Sequence, residues 1–169
     1  MSAKVFICSQ QNYYLLYYYL FMELTIILKR FELLSPFELY DGLQLRNEVF
    51  VIEQNCLVPE LDDKDKLAHH LFFYQGDRLV AYSRLLPAGL SFKEMSIGRV
   101  VTRPEIRGTG IGKQLMEESI RAIYAVYGQA PIRIAAQLYA EMFYKKCGFK
   151  RAEEPFMLDG IEHIQMVRP

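Results

Sequence analysis

The chain has 169 residues, of which 51% are hydrophobic and 24% charged, and its 20 basic and 20 acidic side chains give a formal net charge of +0. This length and composition are typical of one globular domain with a full hydrophobic core. The charge balance and the lack of Lys/Arg runs exclude a basic nucleic-acid-binding surface. Three unpatterned cysteines, Cys8, Cys56 and Cys147, indicate neither a disulfide framework nor a zinc site and favour a reducing cytoplasm.

Residues 1–21 differ from the rest of the chain because they are aromatic and apolar, most strongly over 13–21. This run is shorter than the ~20 residues of a membrane span before Glu23 interrupts it. It has neither a strongly basic start nor a small-residue cleavage site, so it is a poor signal peptide. We therefore predict an upstream extension at 1–21, with a membrane-surface anchor as the alternative, and one domain at 22–169 without stable membrane insertion.

From residue 24 onward, the apolar pattern predicts alternating strands and helices. The predicted strands are residues 24–34, 70–74, 79–86, 95–102, 132–137, 149–153 and 161–167. The first predicted helix begins at Ser35, Pro36 and Glu38, which form a capping-box start, and runs toward Glu53. Two further helices are predicted over 110–127 and 139–147, and each is followed by a glycine that ends it.

The connections complete the predicted topology. Residues 54–68 are expected to form a loop, while 75–78 and the pair Asp159-Gly160 are expected to form hairpin turns. The element order predicts an α/β fold with one mixed sheet and helices on both of its faces. Only the segments around the two later helices have the strand–helix alternation that favours parallel neighbours.

A glycine-rich turn at 107–113, which reads R-G-T-G-I-G-K, joins the strand 95–102 to the helix 110–127. Its glycines allow a tight turn with uncovered N–H groups, and the helix start adds unpaired N–H groups and the positive end of its dipole. Such a turn is suited to bind a pyrophosphate. The turn is not a P-loop, because Arg107 and Gln114 occupy the positions where that motif needs Gly and Ser/Thr. It is not the dinucleotide fingerprint either, because its glycines follow G-x-G-x-G rather than G-x-G-x-x-G.

Two motifs in this chain resemble the GNAT N-acetyltransferase family. Residues 107–112 are similar to its acetyl-CoA signature, (Q/R)-x-x-G-x-(G/A), and residues 137–149 are similar to its segment A-x-x-F-Y-x-x-x-G-F. The run 45–56 is similar to L-R-x-x-V-F-V-x-E-Q-x-C of the ElaA branch of that family. The resemblance covers residues 24–167 and departs at 57–59, where Leu-Val-Pro replaces the usual proline and aromatic residue.

The resemblance implies a GNAT fold, in which two parallel central strands splay apart and acetyl-CoA, the co-substrate, enters the gap; no metal is implied. Backbone groups of a strand would pair with the pantetheine arm as an added strand would, and the turn amides would hold the pyrophosphate, with charge from Arg107 or Lys113. The coenzyme A contacts that it implies are Val100, Val101, Thr102, Arg107, Gly108, Thr109, Gly110, Ile111, Gly112, Lys113 and Gln137.

The resemblance also implies the reaction, which is direct transfer of an acetyl group to a primary amine. Tyr144 occupies the position of the family's usual general acid. A phenol has an ordinary pKa near ~10, so it is protonated at neutral pH and can reprotonate the coenzyme A thiolate. The alternative function is a non-catalytic coenzyme A-binding or interaction module. The acceptor is expected to be a small-molecule or peptide amine, and a homodimer is among the expected assemblies.

The general base is assigned to His70, which the family pattern carries and whose residue type titrates near neutrality. Glu94, His163 and a water chain remain alternatives for this role. Glu53 and Gln54 are expected either at the acceptor site or at a solvated helix end. The acidic run 60–65 is expected either to attract a cationic amine or to be a solvated loop.

Overall fold

The structure is a computed structural model that describes residues 24–169, so the predictions for residues 1–21 lie outside the described residues. Within this range the strands are β1 (Leu24–Arg30), β2 (His69–Gln75), β3 (Arg78–Leu86), β4 (Met95–Thr102), β5 (Ile132–Gln137), β6 (Lys150–Arg151), β7 (Phe156–Leu158) and β8 (Ile161–Arg168). The α-helices are α1 (Pro36–Arg46), α2 (Ile111–Tyr127) and α3 (Glu141–Lys146).

All described strands join one sheet with the order β1-β2-β3-β4-β5-β8-β6, and β7 also pairs with β8. Neighbours are antiparallel except β4 and β5, which are parallel and pair only at Met95 with Ile132 and at Ser96 with Arg133. Beyond these two pairs the central strands diverge, because β4 continues along β3 while β5 continues along β8. This splayed mixed sheet confirms the predicted fold class.

Helices cover both faces of the sheet, as predicted. Phe72 and Tyr74 of β2 point to one face and pack with Leu45 of α1. Their neighbours Leu71 and Phe73 point to the other face and join the core that Leu115 of α2 completes. Because successive side chains of a strand alternate between faces, a central strand between two helix layers is buried along its whole length. None of the helices within residues 24–169 combines the length and apolar character that a membrane crossing requires.

The start of α1 has the predicted capping box. The Glu38 N–H donates to Ser35 Oγ at 3.2 Å, and the Ser35 N–H donates to Glu38 Oε2 at 2.8 Å. The helix does not continue regularly to Glu53, because α1 ends at Arg46 and a wider π-helical segment follows over Asn47–Glu53. Such segments are rare and are frequent at functional sites.

Two strand predictions are wrong in extent. The first strand ends at Arg30, because Phe31–Leu33 turns as a 3-10 helix. The predicted strand at 149–153 is reduced to Lys150–Arg151, and the sequence analysis missed β7. Both short strands pair with β8, and residues 152–155 between them include Pro155, which has no N–H for a strand ladder.

Candidate active site

A cleft with a volume of about 370 Å³ opens where β4 and β5 separate. Residues of β4 from Ile97 to Thr102 line one side, and Ile134, Ala135 and Gln137 of β5 line the other. Past Ser96, β5 pairs with β8 rather than with β4, so this edge of β4 is left without a strand partner among the described residues. Such an edge can accept an extended ligand as an added strand, and the predicted contacts Val100, Val101 and Thr102 lie along it.

β4 carries a bulge at this edge. Gly98 pairs with Arg84 and Val101 with Tyr82, so β4 has one residue more than β3 between the two pairs. Arg99 has a φ of 51°, a left-handed conformation that is uncommon outside glycine. Bulges turn side chains in new directions, and here Arg99 Nε reaches Glu60 Oε1 at 2.8 Å. The sequence analysis missed this feature, although a glycine within a strand pattern is a signal for a bulge.

The F-Y-x-x-x-G-F segment places Tyr144 through a helix cap. The Phe149 N–H donates to the Tyr144 carbonyl at 3.1 Å and the Gly148 N–H to the Lys145 carbonyl at 3.0 Å, which together form a Schellman motif. Gly148 has the positive φ of 89° that this cap requires. Phe149 is buried, and its ring packs edge-on against that of Tyr144 at 6.0 Å between centroids. The glycine and phenylalanine therefore hold the tyrosine ring in position.

Tyr144 lines the cleft. Its hydroxyl donates to and accepts from no residue within 24–169, whereas the hydroxyls of Tyr74 and Tyr82 are both hydrogen-bonded. Burial raises the pKa of the Tyr144 phenol above its ordinary value near 10, and nearby Tyr139 and Cys147 raise it further. The phenol therefore stays protonated at neutral pH, which leaves a proton donor at the cleft.

The glycine turn lies at the start of α2, next to Arg107, where the lining of the cleft ends. Gly108 and Gly110 have φ values of 81° and 95°, and a Cβ added at either would meet nothing within 4 Å. Backbone conformation rather than space therefore requires glycine at both positions. Thr109 stabilises the turn because its Oγ1 donates to the Ile106 carbonyl at 2.7 Å.

The backbone N–H groups of this turn fit a bound diphosphate. Those of Gly108, Gly110, Ile111, Gly112 and Lys113 have no hydrogen-bond partner in the described part of the chain. They occur at the positive end of the 17-residue α2, where the first N–H groups of a helix lack internal partners. A cluster of uncovered donors at a helix start is the type of site that binds phosphate groups.

Two side-chain links cross the mouth of the cleft. Arg107 donates from both terminal nitrogens to Glu53, at 2.6 and 2.8 Å. Gln54 and Gln137 exchange amide hydrogen bonds of 3.2 and 2.9 Å. Glu53 and Gln54 therefore line the cleft, while their contact with an acceptor stays a prediction. Because Arg107 is paired with Glu53, its guanidinium could bind a phosphate only by sharing or breaking that ion pair. The Lys113 side chain, in contrast, is 67% exposed.

His70 lies away from the cleft. It is 2% exposed, and both of its ring nitrogens are occupied, Nε2 by the Asp65 carbonyl at 2.9 Å and Nδ1 by the Tyr82 hydroxyl at 2.7 Å. Burial lowers its pKa despite the hydrogen bond to Asp65, so the ring is neutral. With no free nitrogen facing the cleft, His70 is not placed to accept a proton from an acceptor amine, which corrects the expectation drawn from the family pattern. Its role is to attach the 54–68 loop to the sheet.

Arginines pair with Glu60, Asp62 and Asp65 of the acidic run 60–65, whereas Asp63 is exposed. The run is therefore solvated only in part and is not a free anionic patch. Arg46 donates to Glu60 Oε1 at 2.6 Å and to Asp65 Oδ1 at 2.7 Å. Arg84 donates to Asp62 at 2.6 and 2.7 Å and to Asp65 at 2.9 Å. With Arg99, three cations face three anions in what we call the buried ionic network, whose members are Arg46, Arg84, Arg99, Glu60, Asp62 and Asp65.

Two alternatives for the base have different surroundings. Glu94 forms a two-point ion pair with Arg133, at 2.9 and 3.0 Å, which lowers its pKa, and it is not among the residues that line the cleft. His163 of β8 lines the cleft.

The predicted turn Asp159-Gly160 before β8 is also observed, with positive φ at both residues, and Asp159 lines the cleft as well.

Comparison with known proteins supplies the family. The profile of the acetyltransferase (GNAT) domain matches residues 40–168. The ElaA protein of Escherichia coli is 36% identical over 137 residues, which cover 80% of this chain and 90% of ElaA. The UPF0039 protein sll0451 of Synechocystis is 38% identical over 147 residues, which cover 86% of this chain and 96% of the relative.

Solved structures agree with the sequence matches. The crystal structure of Escherichia coli ElaA has a TM-score of 0.82 at 33% identity and covers 87% of this chain and 100% of its own. An acyl-CoA N-acyltransferase from Pseudomonas aeruginosa has a TM-score of 0.81 at 37% identity and covers 86% of this chain and 99% of its own. The splayed sheet, the glycine turn and these matches lead to one conclusion: this chain belongs to the GNAT acetyltransferase family, in the branch of ElaA.

Proposed function

We propose that the protein transfers an acetyl group from acetyl-CoA to a primary amine, by direct attack while both substrates are bound. The observation that carries this proposal is the cleft between β4 and β5, which brings an unpaired strand edge and the free hydroxyl of Tyr144 together. Membership of an acyltransferase family supports the use of an acyl-CoA thioester. Cys56 and Cys147 are unpaired thiols, which suits a cytoplasmic enzyme.

Coenzyme A would be held mainly by backbone groups. The uncovered amides between Gly108 and Lys113 would bind the pyrophosphate. The open edge of β4 from Val100 to Thr102 would pair with the pantetheine arm. Gln137 would hydrogen-bond coenzyme A through its side-chain amide. Its two hydrogen bonds to Gln54 cross the mouth of the cleft, so they would have to break first.

The acetyl-transfer step then follows from the residues at the cleft. The neutral amine nitrogen attacks the thioester carbonyl carbon, and negative charge develops on the carbonyl oxygen. A backbone N–H of the β4 edge near the bulge is suited to stabilise that charge; loss of one such donor typically lowers the rate ~10²–10³-fold. When the C–S bond breaks, the Tyr144 hydroxyl donates its proton to the thiolate of coenzyme A.

The acceptor would lie on the side of the cleft formed by the π-helical segment, the 54–68 loop and the β7–β8 turn. Phe50, Val58 and Leu158 give this side apolar surface, and Glu60 and Arg99 give it polar groups. Glu60 is shared between Arg46 and Arg99, so its charge is largely neutralised. The buried ionic network therefore does not support the expectation that residues 60–65 attract a cationic amine by their charge. The proposed acceptor remains a small-molecule or peptide amine.

The test has two steps. Titration calorimetry with coenzyme A measures binding, and release of free thiol from acetyl-CoA in the presence of a panel of primary amines measures transfer. Saturable coenzyme A binding together with amine-dependent thiol release supports the proposal. Binding without release on any amine supports the non-catalytic module instead, and lack of binding contradicts both functions.

A further inference from the structure

The neutral amine that attacks the thioester must lose one proton as the C–N bond forms, because its nitrogen would otherwise stay cationic and could not become the amide nitrogen. Neither His70, which is buried with both nitrogens occupied, nor Glu94, which is paired with Arg133 away from the cleft, is placed to take that proton. A base that acts on the bound amine must therefore be one of the titratable groups that line the cleft itself. This inference rests on the proposed acetyl transfer.

His163 lies at the point where the cleft meets the end of β5. It is directly opposite Gln137 in the antiparallel pairing of β8 with β5, so the two side chains share one face of the sheet. Both residues line the cleft, as does Tyr144, which follows β5 in the chain. An imidazole and a phenol are thus presented to one cavity from two different elements.

Hydrogen bonding determines which ring nitrogen of His163 can act as a base. Nδ1 lies 2.8 Å from the Ile161 carbonyl oxygen, and since a carbonyl only accepts, Nδ1 carries the hydrogen. In the neutral ring, Nε2 then holds the lone pair, and it has no hydrogen-bond partner within residues 24–169. The Phe156 ring packs against the imidazole at 6.1 Å between centroids. The ring is therefore held in one tautomer with its basic nitrogen free.

Most of the acidic groups that line this cavity are paired with arginines. Glu53 is paired with Arg107, and Glu60 is paired with Arg46 and Arg99. Asp159, in the turn before β8, also lines the cleft. The remaining titratable side chains at the cleft are Cys56, Tyr139 and Tyr144.

We propose that His163 is the general base of the transfer. Its Nε2 accepts a proton from the attacking amine, directly or through one water, as the new C–N bond forms and the C–S bond breaks. Tyr144 supplies the proton that the departing thiolate takes up. The amide and free coenzyme A leave, and net transfer of the proton from His163 back to Tyr144 through solvent restores both groups.

The experiment measures kcat/KM against pH for the wild type, for His163→Gln and for His69→Gln as the matched control. His69 lies outside the cleft and bonds the Tyr127 hydroxyl at 2.8 Å. We expect His163→Gln to lower kcat/KM at neutral pH by about 10²-fold or more and to remove the acidic limb of the profile, with coenzyme A affinity unchanged. His69→Gln is expected to keep the wild-type profile.

A second variant separates a chemical from a structural role. His163→Ala in the presence of added imidazole should regain part of its activity in a manner saturable with imidazole, since the free base can occupy the space of the missing ring. An acidic limb that persists in His163→Gln at near wild-type rates would overturn the assignment, as would His163→Ala without rescue while still binding coenzyme A. A wild type without turnover on any amine would instead contradict the proposed function, and the base role would fall with it.

Discussion

Two regions of the molecule use polar side chains in opposite ways: the buried ionic network beneath the 54–68 loop, and the cleft between β4 and β5. In the network, Arg46 is 1% exposed and donates from three nitrogens to Glu60 and Asp65. In the cleft, the Tyr144 hydroxyl has no partner among the described residues. Side chains whose hydrogen-bonding capacity is used by neighbours stabilise the fold, whereas those with capacity left can act on a substrate.

The two histidines repeat this contrast. His70 spends both ring nitrogens on Asp65 and Tyr82 and has no access to the cleft. His163 lines the cleft, and only its Nδ1 is hydrogen-bonded, to the Ile161 carbonyl. Residue type alone therefore does not decide whether a histidine serves structure or chemistry. The deciding feature is whether the fold places a histidine with an unbonded ring nitrogen at the cleft. His69, whose Nδ1 bonds the Tyr127 hydroxyl, is not among the residues that line it.

The largest effect is expected on the cleft side of this comparison. Tyr144→Phe removes only the hydroxyl, so the thiolate must leave without a proton donor. We expect kcat to fall on the order of 10²–10⁴-fold, with little change in stability or in coenzyme A affinity. Thiol release and calorimetry measure the two quantities, with Tyr40→Phe on the exposed surface of α1 as the control. Activity close to that of the wild type would show that Tyr144 is a packing residue.

On the network side, a substitution is expected to affect stability rather than chemistry. Asp65→Asn leaves Arg46 and Arg84 without their shared anion in a buried position. Removing one partner of a buried ion pair typically costs about 3–5 kcal/mol. Urea unfolding followed by circular dichroism measures the change in the free energy of unfolding.

The control for this prediction is Asp63→Asn, which breaks the exposed pair of Asp63 with Lys66. Exposed pairs contribute about 0–1 kcal/mol, so this variant should unfold close to the wild type. Equal effects of the two substitutions would mean that burial of the network has no energetic consequence.

Acid pH should affect the stability that the buried ionic network provides. Burial alone would raise the pKa of Asp62, but hydrogen bonds from Arg84 and the charges of Arg84 and Arg99 lower it to about 2, and Asp65 is lowered in the same direction by Arg46 and Arg84. Since the unfolded pKa is ~3.9, the stability from these groups is full above about pH 4 and is lost as the pH falls toward 2. Urea unfolding at several acidic pH values measures this loss.

The acid sensitivity of the network concerns the stability of the fold and not the transfer reaction. Asp62→Asn should flatten the dependence of stability on pH below about pH 4 without moving the acidic limb of kcat/KM. If the variant keeps the wild-type slope of stability against pH, the network is not the source of the acid sensitivity.

The smallest expected effect concerns the glycine turn, where one substitution should raise the stability of the fold and lower the affinity for coenzyme A. Gly112 lies within α2, and an added Cβ would meet only Thr102 Cγ2 at an ordinary 3.8 Å. Gly112→Ala should therefore raise the free energy of unfolding by about 0.5–1 kcal/mol, while the new methyl group obstructs the amides offered to the pyrophosphate and weakens coenzyme A binding.

Gly110→Ala is the counterpart of this variant. Its φ of 95° strains an alanine, so both stability and binding should fall. Thermal unfolding and calorimetry of the two variants check the contrast. Unchanged coenzyme A affinity in Gly112→Ala would contradict the proposal that the amides between Gly108 and Lys113 bind the pyrophosphate.

Features that depend on a few neighbouring residues could be predicted from the sequence. The capping box of Ser35 and Glu38, the turn at Asp159-Gly160 and the helix end at Gly148 were predicted and are confirmed. The element order and the splayed mixed sheet followed from the same local patterns together with the family resemblance. These features are local because capping and left-handed turns are determined by residues within about one helical turn of one another.

The tertiary structure alone decided which polar side chains reach the cleft. The π-helical segment at Asn47–Glu53, the bulge at Arg99 and the pairing of β7 all depend on distant partners. Arg46 meets Asp65 across 19 residues, and Gln54 meets Gln137 across 83. Such contacts cannot be predicted from a local sequence pattern, because a side chain acquires its burial and its hydrogen-bond partners only when distant strands and loops pack together. For that reason the sequence alone could not tell the histidines apart, and only the fold showed that His163 lines the cleft whereas His69 and His70 do not.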